Sequence, residues 1–502
     1  MKLLDHITSS AVNTPSAVAF FGGGVELTYL QLEEYSDSLA EYLYSTIPQD
    51  KTPVIVYGHK NPYMIVAFLA CVKSGHPYCP IDISNPDTRT EKIISSVQPH
   101  LILSTEPVSF STDIPICTLD DIIQIARKKA NKVDYTVSKE DIFYIIFTSG
   151  STGNPKGVQI TSECLDNFLE WSSTLGKGYL KRKQQLTYLN QAPFSFDLSV
   201  MDLYTSLYTG SRLWLLDKST QMNTANLFAS LQKSKADVWV STPSFADVCL
   251  SDARFCKELL PDLSTFFFCG EVLTNSTAKK LHERFPQTLI LNTYGPTEST
   301  VAVTQINVTE EICDEISPLP VGKAKPGTDI LIMDREGNIL PEGERGEIVI
   351  AGNTVSVGYY QEPDLTQKAF GMMGEKRIYH TGDEGWIEEG MLFYQGRMDL
   401  QIKLHGYRME IEDIENNLLK IEEVERAVVV PVYKDGKVKN LKAVVKINDT
   451  MEKNFQTTQR LKERLKEYIP EYMVPKKFIY VDSFPMTTNG KIDRKELGRI
   501  IQ

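Results

Sequence analysis

Short apolar runs alternate with amphipathic segments from the start of the chain to about residue 300. The segment after Thr28 has the apolar spacing of a helix, and the Thr28 hydroxyl is placed to cap its first turn. Another helical pattern ends at Gly75. This alternation predicts βαβ units in a mostly parallel sheet, with ligands at the carboxyl ends of the strands. The runs of strand length are PVIVYG (53–58), LILS (101–104), FYIIF (143–147), DVWVS (237–241), STFFFCG (264–270) and TLILN (288–292).

The pattern changes near residue 300. Strand-like stretches separated by Gly and Pro turns (AVTQINV, TDILIMD, GEIVIAG and MLFYQG) predict a β-rich subdomain over about 300–395. From residue 400 onward, two amphipathic helical stretches and three apolar strands predict a compact α+β segment. We therefore expect a large domain over 1–397 and a small domain over 400–502. The join at 398–399 is so short that any motion there must be a hinge.

Composition and charge narrow the class of protein. Hydrophobic residues make up 42% of the chain and charged residues 24%, which is typical of a globular protein. The net charge of −12 argues against a nucleic-acid partner. Residues 400–502 hold 20 basic and 16 acidic side chains, an excess that could steer an acidic partner or arise by chance.

We expect a cytoplasmic protein without membrane insertion. The N-terminus lacks an unbroken apolar signal region, and no run approaches the roughly 18 apolar residues of a spanning helix. The eight cysteines are scattered, with no C-x-x-C pair, so they predict neither a disulfide framework nor a zinc site.

The segment IIFTSGSTGNPKGVQIT (145–161) is the first candidate site. A buried strand leads into a loop of Thr, Ser and Gly that ends near Lys156. Small residues let backbone N–H groups approach an anion, and hydroxyls and the lysine add donors and charge, so the pattern predicts a polyphosphate cradle. It is not a Walker A loop, because Pro155 precedes the lysine and Gly157 follows it. A plain surface turn is the alternative.

TSGSTGNPKG closely resembles the signature loop of the adenylate-forming superfamily. That superfamily includes acyl-CoA synthetases, firefly-luciferase-type enzymes and the adenylation domains of peptide synthetases. Within it, FTSGSTGNPKGVQIT and NQAPFSFDLSVMDLY are most similar to free-standing ligases that load D-alanine onto a carrier protein for teichoic acid esterification. The resemblance covers the whole chain through four further segments in the expected order: 190–204, 292–300, 379–415 and 485–497.

The resemblance implies an acyl-adenylate synthetase fold with a mobile small domain, and a reaction in two halves. D-alanine attacks MgATP to give D-alanyl-AMP. The phosphopantetheine thiol of a separate carrier protein then displaces AMP, as the first step of lipoteichoic acid D-alanylation. ATP and Mg²⁺ are the implied cofactors, and the enzyme is expected to be a monomer. The preference for the D enantiomer rests on the resemblance alone.

Side-chain chemistry agrees with several implied ATP contacts. The Tyr294 ring can stack on adenine, Thr297 can donate to a phosphate, and the Glu298 carboxylate suits Mg²⁺. Asp383, expected in a turn between strands, offers two acceptors to a ribose diol, and Arg397 offers a planar fork. Taken alone, the last two could form a surface salt bridge. The implied ATP-binding residues are Thr148, Ser149, Thr152, Gly153, Asn292, Thr293, Tyr294, Gly295, Pro296, Thr297, Asp383, Tyr394, Gln395, Gly396, Arg397 and Lys491.

Asp197 is the main candidate for substrate binding. A carboxylate among apolar neighbours is costly unless paired, and the resemblance supplies the α-ammonium group of an amino acid as its partner. The alternative is a helix N-cap. Cys269 and Val301 match positions that shape a pocket for a methyl-sized side chain. No base for a cysteine nucleophile is visible near Cys269.

The resemblance assigns catalysis to Lys491, Lys156 and Thr297, and Lys491 also to the substrate carboxylate. A cation between the attacking carboxylate and the α-phosphate stabilises the transition state. Lys403 is a second candidate, on the face of the small domain that lines the thiol path after rotation. Asp399 matches the hinge.

Three alternatives remain at this stage. The first is a stand-alone adenylation enzyme for another small amino acid, or a small-acid acyl-CoA synthetase. The second is an inactive binding protein that keeps the fold. The third is a luciferase-like oxidative activity, which would share the adenylation step.

Overall fold

The computed structural model of the chain describes residues 1–129, 137–149, 154–176, 185–398, 401–404, 406–434, 437–448, 451–485, 492 and 494–501. Helices in these residues often begin at a polar cap. Thr28 closes a capping box with Gln31, as its position in the sequence predicted. None of the described helices is long and apolar enough to cross a membrane. The helices are α1 Lys2–Asn13, α2 Tyr29–Thr46, α3 Pro62–Lys73, α4 Asp87–Val97, α5 Leu119–Ala126, α6 Ser162–Ser172, α7 Leu198–Tyr208, α8 Lys218–Met222, α9 Thr224–Ser234, α10 Pro243–Leu250, α11 Asn275–Arg284, α12 Glu310–Glu315, α13 Pro363–Ala369, α14 Ile411–Leu418, α15 Phe455–Lys466 and α16 Arg494–Ile501.

The largest sheet has nine strands in the order β15-β14-β13-β12-β11-β9-β10-β1-β2. Its six central strands, from β13 to β1, are parallel, as the alternating pattern predicted. The strands are β1 Val18–Gly22, β2 Val25–Thr28, β9 Thr187–Asn190, β10 Arg212–Leu215, β11 Val238–Ser241, β12 Thr265–Phe268, β13 Leu289–Tyr294, β14 Thr304–Asn307 and β15 Lys323–Ala324.

A six-stranded sheet, in the order β6-β5-β3-β4-β7-β8, is parallel except for the last pair. The largest apolar cluster joins side chains of both sheets with helices α2 and α3. Every residue of α3 is buried, which explains its nearly unbroken apolar sequence. The strands are β3 Val54–Gly58, β4 Tyr78–Asp82, β5 Ile102–Ser104, β6 Ile116–Cys117, β7 Ile142–Thr148 and β8 Lys156–Thr161.

The β-rich part of the chain is a five-stranded antiparallel sheet that begins at Thr328. The expectation that it begins near residue 300 is wrong. The segment AVTQINV forms β14, which pairs with β13 and belongs to the nine-stranded sheet. An edge strand that returns antiparallel has the same alternation as a strand of a separate β subdomain. The five strands are β16 Thr328–Met333, β17 Gly346–Gly352, β18 Phe370–Met373, β19 Lys376–Glu388 and β20 Met391–Arg397.

The C-terminal part is α+β, as expected. A two-stranded hairpin, β21 Gln401–Leu404 with β22 Tyr407–Glu410, precedes α14. The strands β23 Val424–Lys434, β24 Lys437–Ile447 and β25 Lys477–Tyr480 then form a sheet of their own. A separate apolar cluster packs α14 and α15 on this sheet. The hairpin reaches back to the large sheets and completes the candidate site.

Candidate active site

The site is a cleft at the carboxyl ends of β12 and β13. Its main cavity has a volume of about 470 Å³ and is bounded by these strand ends, by β20 and by the β21–β22 hairpin. A smaller pocket opens from it around Asp197, Cys269 and Val301. The cleft thus lies at the strand ends where the sequence pattern predicted ligand binding. Among the predicted residues, the main cavity is lined by Asn292, Thr293, Tyr294, Gly295, Tyr394, Gln395, Gly396 and Arg397.

A buried network fixes Tyr294, Asp383 and Arg397. The Tyr294 hydroxyl donates to Asp383 Oδ2 at 2.6 Å, and Arg397 Nη1 donates to Asp383 Oδ1 at 3.0 Å. Burial holds the pKa of the Tyr294 phenol well above its ordinary value, so the neutral hydroxyl is the donor. Each carboxylate oxygen can accept more than one hydrogen bond, so the network remains compatible with a bound diol.

Asp383 does not lie in a turn, contrary to expectation. It sits within the long strand β19 and pairs in register with Arg397 of β20. The ladder shifts register just after it, between Glu384 and Gly385, where the partner strand runs too close for a side chain at position 385. The glycines of TGDEG thus lie in a strand with an irregular register and not in a turn.

The predicted phosphate loop is described at its two ends. Thr148 ends β7, Ser149 is buried beside it, and Lys156 begins β8. The Lys156 ammonium lies 5.1 Å from the centre of the Tyr359 ring and 3.9 Å from Glu410 Oε1 on the hairpin. Thr152 and Gly153, both predicted ATP contacts, lie outside the described residues.

Glu298 is fully buried in the turn after β13. Its Oε1 accepts a hydrogen bond from the Tyr359 hydroxyl at 2.9 Å, and Thr297 precedes it in the same short 3₁₀ turn. No cluster of three or more acidic, His or Cys ligands occurs among the described residues. This donor set fits Mg²⁺, which needs only one or two protein carboxylates when substrate phosphates share it.

Close packing explains the glycine at 295. A Cβ there would lie 2.6 Å from Ala302 Cα and 2.9 Å from the Val301 carbonyl oxygen. Two predicted ATP-binding residues, Asn292 and Thr293, use their side chains to hold neighbouring backbone. Asn292 donates to the Pro320 carbonyl at 2.8 Å and Thr293 to the Phe268 carbonyl at 2.8 Å. Pro296 lines the smaller pocket.

The smaller pocket brings together Asp197, Cys269 and Val301. Asp197 is 7% exposed, and although it precedes α7 its side chain does not cap that helix. Asp197 thus occupies the N-cap position, as predicted, but makes no side-chain capping hydrogen bond. Burial raises the pKa of the Cys269 thiol, which does not favour a nucleophilic thiolate. Val301 has φ +68, a strained conformation for a β-branched residue.

Lys403 is in the site: its ammonium lies 5.7 Å from the Tyr294 ring centre and 5.6 Å from that of Tyr394. Lys491 and Asp399 lie outside the described residues.

Sequence reasoning missed three residues around the site. Glu271 contacts the hairpin, Tyr359 holds Glu298, and Lys60 holds the loop that leads to Asp197. The strand-end rule could have flagged Glu271, because it follows β12 by three residues. Only the fold reveals the other two, since their partners are remote in sequence.

Comparison with known families defines the class of protein. A family model described as AMP-binding enzyme matches residues 7–360, and one described as AMP-binding enzyme C-terminal domain matches residues 413–491. Since the first match alone covers well over half of the chain, the chain belongs to the AMP-binding enzyme family.

The chain is also similar over its full length to relatives with a named activity. The D-alanine–D-alanyl carrier protein ligase of Bacillus cereus is 50% identical and that of Bacillus mycoides 51% identical, each over 99% of both chains.

Solved structures share the fold. The Vibrio cholerae adenylation domain AlmE, solved with glycyl-adenosine-5'-phosphate, has a TM-score of 0.84 at 22% identity, over 99% of this chain and 97% of its own. A peptide synthetase protein with adenylation and PCP domains also gives 0.84, at 26% identity, over 99% of this chain and 84% of its own. The predicted adenylate-forming fold is confirmed.

Proposed function

We propose that this chain activates D-alanine with ATP to D-alanyl-AMP and transfers the D-alanyl group to the phosphopantetheine thiol of a separate carrier protein. The observation that carries the proposal is the buried Asp197 carboxylate in a small pocket that opens into the 470 Å³ cleft. A carboxylate there selects an ammonium-bearing substrate. The full-length identity to D-alanine–D-alanyl carrier protein ligases supports the same substrate and acceptor.

The first half-reaction joins two anions. A D-alanine carboxylate oxygen attacks the α-phosphorus of ATP, an O–P bond forms, and the bond to pyrophosphate breaks. Asp197 holds the ammonium group, while Thr148, Ser149, Thr152, Gly153 and Lys156 cradle the phosphates. Lys491 bridges the D-alanine carboxylate and the α-phosphate, and the Thr297 hydroxyl donates to the α-phosphate. Positioning and positive charge thus lower the activation free energy of adenylation.

In the second half-reaction, the thiolate sulfur attacks the carbonyl carbon of the adenylate. A C–S bond forms, the C–O bond to AMP breaks, and AMP leaves with the electron pair. No protein nucleophile is needed, in agreement with the raised pKa of the Cys269 thiol.

We assign the Mg²⁺ ligand to Glu298, whose buried carboxylate Tyr359 orients. The ion supplies positive charge to the phosphates when bound. Adenine and ribose occupy the cleft beside Tyr294, Asp383 and Arg397.

We further propose that the chain works as a cytoplasmic monomer with a large domain over 1–397, a hinge at 398–399 that includes Asp399, and a small domain over 400–502. Its product would serve D-alanylation of lipoteichoic acid in the cell wall.

Exchange of labelled pyrophosphate into ATP tests the proposal, with D-alanine, L-alanine, glycine, D-serine and acetate as substrates. We expect strong exchange with D-alanine and much less with L-alanine. Exchange with acetate but with none of the amino acids would contradict it and assign the chain to a simple acid. Thioester formation on pantetheine then tests the second half.

A further inference from the structure

One carboxylate of the large domain holds the tip of the β21–β22 hairpin. Glu271 Oε1 accepts a hydrogen bond from the Gly406 backbone N–H at 2.8 Å. Its other oxygen accepts from the Ser244 backbone N–H at 3.1 Å. Glu271 thus links the hairpin to the start of α10. A charged acceptor makes each bond stronger than a neutral one would be.

The tip fits closely against the large domain. Gly406 has φ +84, and a Cβ there would lie 2.2 Å from Thr242 Cγ2. The ring of the next residue, Tyr407, lies 5.6 Å from that of Phe196 in the large domain, measured between ring centres. Within the small domain it stacks on the ring of Tyr472, with 3.7 Å between the centres. The hairpin is therefore held on the large domain by the Glu271–Gly406 hydrogen bond and by close packing against Thr242 and Phe196.

The seated tip forms one wall of a third cavity. Tyr407 and Tyr472 line it from the small domain, and Arg89 and Phe147 from the large domain. It shares no lining residue with the 470 Å³ cleft. Thr148, Ser149 and Thr297, which the proposed function places on the phosphates, also line it, so it can admit a thiol only after pyrophosphate has left. The Asp197 pocket lies between the two, because it shares Gly295 with the cleft and Phe196 with the third cavity.

The same arrangement is unfavourable for ATP. Glu410, at the end of the hairpin, places a carboxylate 3.9 Å from the Lys156 ammonium in the phosphate loop. A second anion there repels the polyphosphate that Lys156 is proposed to bind. After pyrophosphate has left, that repulsion is gone, and a thiol can enter through the third cavity while AMP occupies the cleft.

From this geometry we infer that Glu271 is a positioning residue for the thiol-transfer half-reaction: its bond to Gly406 seats the hairpin that walls the path of the thiol. The inference rests on the proposed function. Glu271 also lines the 470 Å³ cleft, but we assign it no part in adenylation, because backbone N–H groups hold both of its carboxylate oxygens.

The test compares the two half-reactions in Glu271→Gln. A glutamine keeps the shape but has only one acceptor oxygen for two N–H groups. We expect D-alanine-dependent pyrophosphate exchange to stay within about twofold of wild type. Thioester formation from the enzyme-bound adenylate to free pantetheine should fall at least about tenfold. Glu283→Gln, an exposed glutamate on α11, is the matched control and should change neither rate.

Gly406→Ala is an independent second variant, because its methyl group would clash with Thr242. It should show the same split, and the double variant should lose less than the product of the two losses. Equal loss of exchange and transfer in Glu271→Gln, or no loss of transfer, overturns the inference. Absence of exchange in the wild-type protein would instead overturn the proposed function.

Discussion

At the residue scale, Asp197 is the residue that we propose selects the substrate. Its carboxylate is buried beside Phe196, directly before the first residue of α7, and makes no capping hydrogen bond to that helix. A buried carboxylate is costly unless it is paired, and a bound ammonium group supplies both charge and donors. We therefore expect the pocket to favour amino acids over simple acids of the same size.

Asp197→Asn should remove that preference. We expect kcat/KM for D-alanine to fall by about 10- to 100-fold, the worth of a hydrogen bond to a charged group. Propionate has the same carbon skeleton but no ammonium group, so its activation should stay the same or improve. Pyrophosphate exchange measures both substrates. Equal losses for D-alanine and propionate would show that Asp197 acts on the fold and not on the ammonium group.

Single residues show where sequence reasoning ends. The sequence could assign Asp197, Cys269 and Val301 to one pocket. Asp197 lies within the segment 190–204, Cys269 is near the end of a predicted strand, and Val301 directly follows the segment 292–300. The position of Asp383 in a strand could not, because glycines give a turn signal that only pairing with β20 overrides. The Glu271–Gly406 bond spans 135 residues, so no local pattern reveals it.

At the scale of elements, a buried lysine ties the end of β3 to the loop that carries Asp197. The Lys60 ammonium donates to Asn190 Oδ1 and to the Ala192 carbonyl, and Asn190 donates to Asp202 Oδ1 at 2.8 Å. Burial lowers the pKa of Lys60 to about 7 and raises that of Asp202 to about 8. These three polar groups hold the β9–α7 loop against the sheet.

This buried lysine predicts a pH-dependent stability. Above its folded pKa of about 7 and below its unfolded value, Lys60 is neutral in the native state and charged in the unfolded state. The unfolded state then binds more protons, so this contribution to stability rises with pH. The Lys60→Met variant lacks this rise of stability with pH. Without the lysine cation, Asp202 also has a still higher native pKa, so its contribution to stability falls as pH rises.

Thermal unfolding midpoints of wild type and Lys60→Met, measured at about pH 7.5, 8.5 and 9.5, check this prediction. The unfolding midpoint of the wild type should rise relative to that of the variant as the pH increases from about 7.5 to about 9.5. The exposed Lys129→Met serves as the control and should keep a constant offset. A constant offset for Lys60→Met as well would mean that Lys60 stays protonated throughout.

The elements themselves were largely predictable. Parallel strands, the helix after Thr28 and the α+β character of the C-terminal part follow from periodicity and capping. The prediction that β14 belongs to the β-rich subdomain is wrong. Alternating apolar and polar residues indicate a strand but do not indicate which sheet the strand joins.

At the scale of the whole molecule, the hairpin contacts lead us to propose that the two half-reactions use different arrangements of the large and small domains. Here Lys403 lies over the Tyr294 and Tyr394 rings, and Glu410 faces Lys156. Lys437 adds a bridge to Asp247 at 2.8 Å on the partly exposed rim, where an ion pair contributes little. A partly exposed ion pair of this kind can be broken at little cost in each catalytic cycle.

Lys491 provides the complementary test, because the sequence resemblance assigns it to adenylation. We expect Lys491→Ala to lose pyrophosphate exchange by about a thousandfold, since a cation between two anions acts mainly in the transition state. ATP binding measured by calorimetry should change little. When supplied with synthetic D-alanyl adenylate, the variant should load pantetheine at nearly the wild-type rate. Lys477→Ala, an exposed lysine of the same part of the chain, is the control.

Together, Lys491→Ala and Glu271→Gln should form a double dissociation, in which each variant loses the step that the other keeps. Mixing the two variants cannot restore turnover if the adenylate stays bound to the enzyme that made it, because each molecule must complete both steps. If Lys491→Ala instead fails equally with synthetic adenylate, one lysine serves both steps. A single arrangement of the small part would then suffice, and the hairpin contacts would be a resting state and not the transfer state.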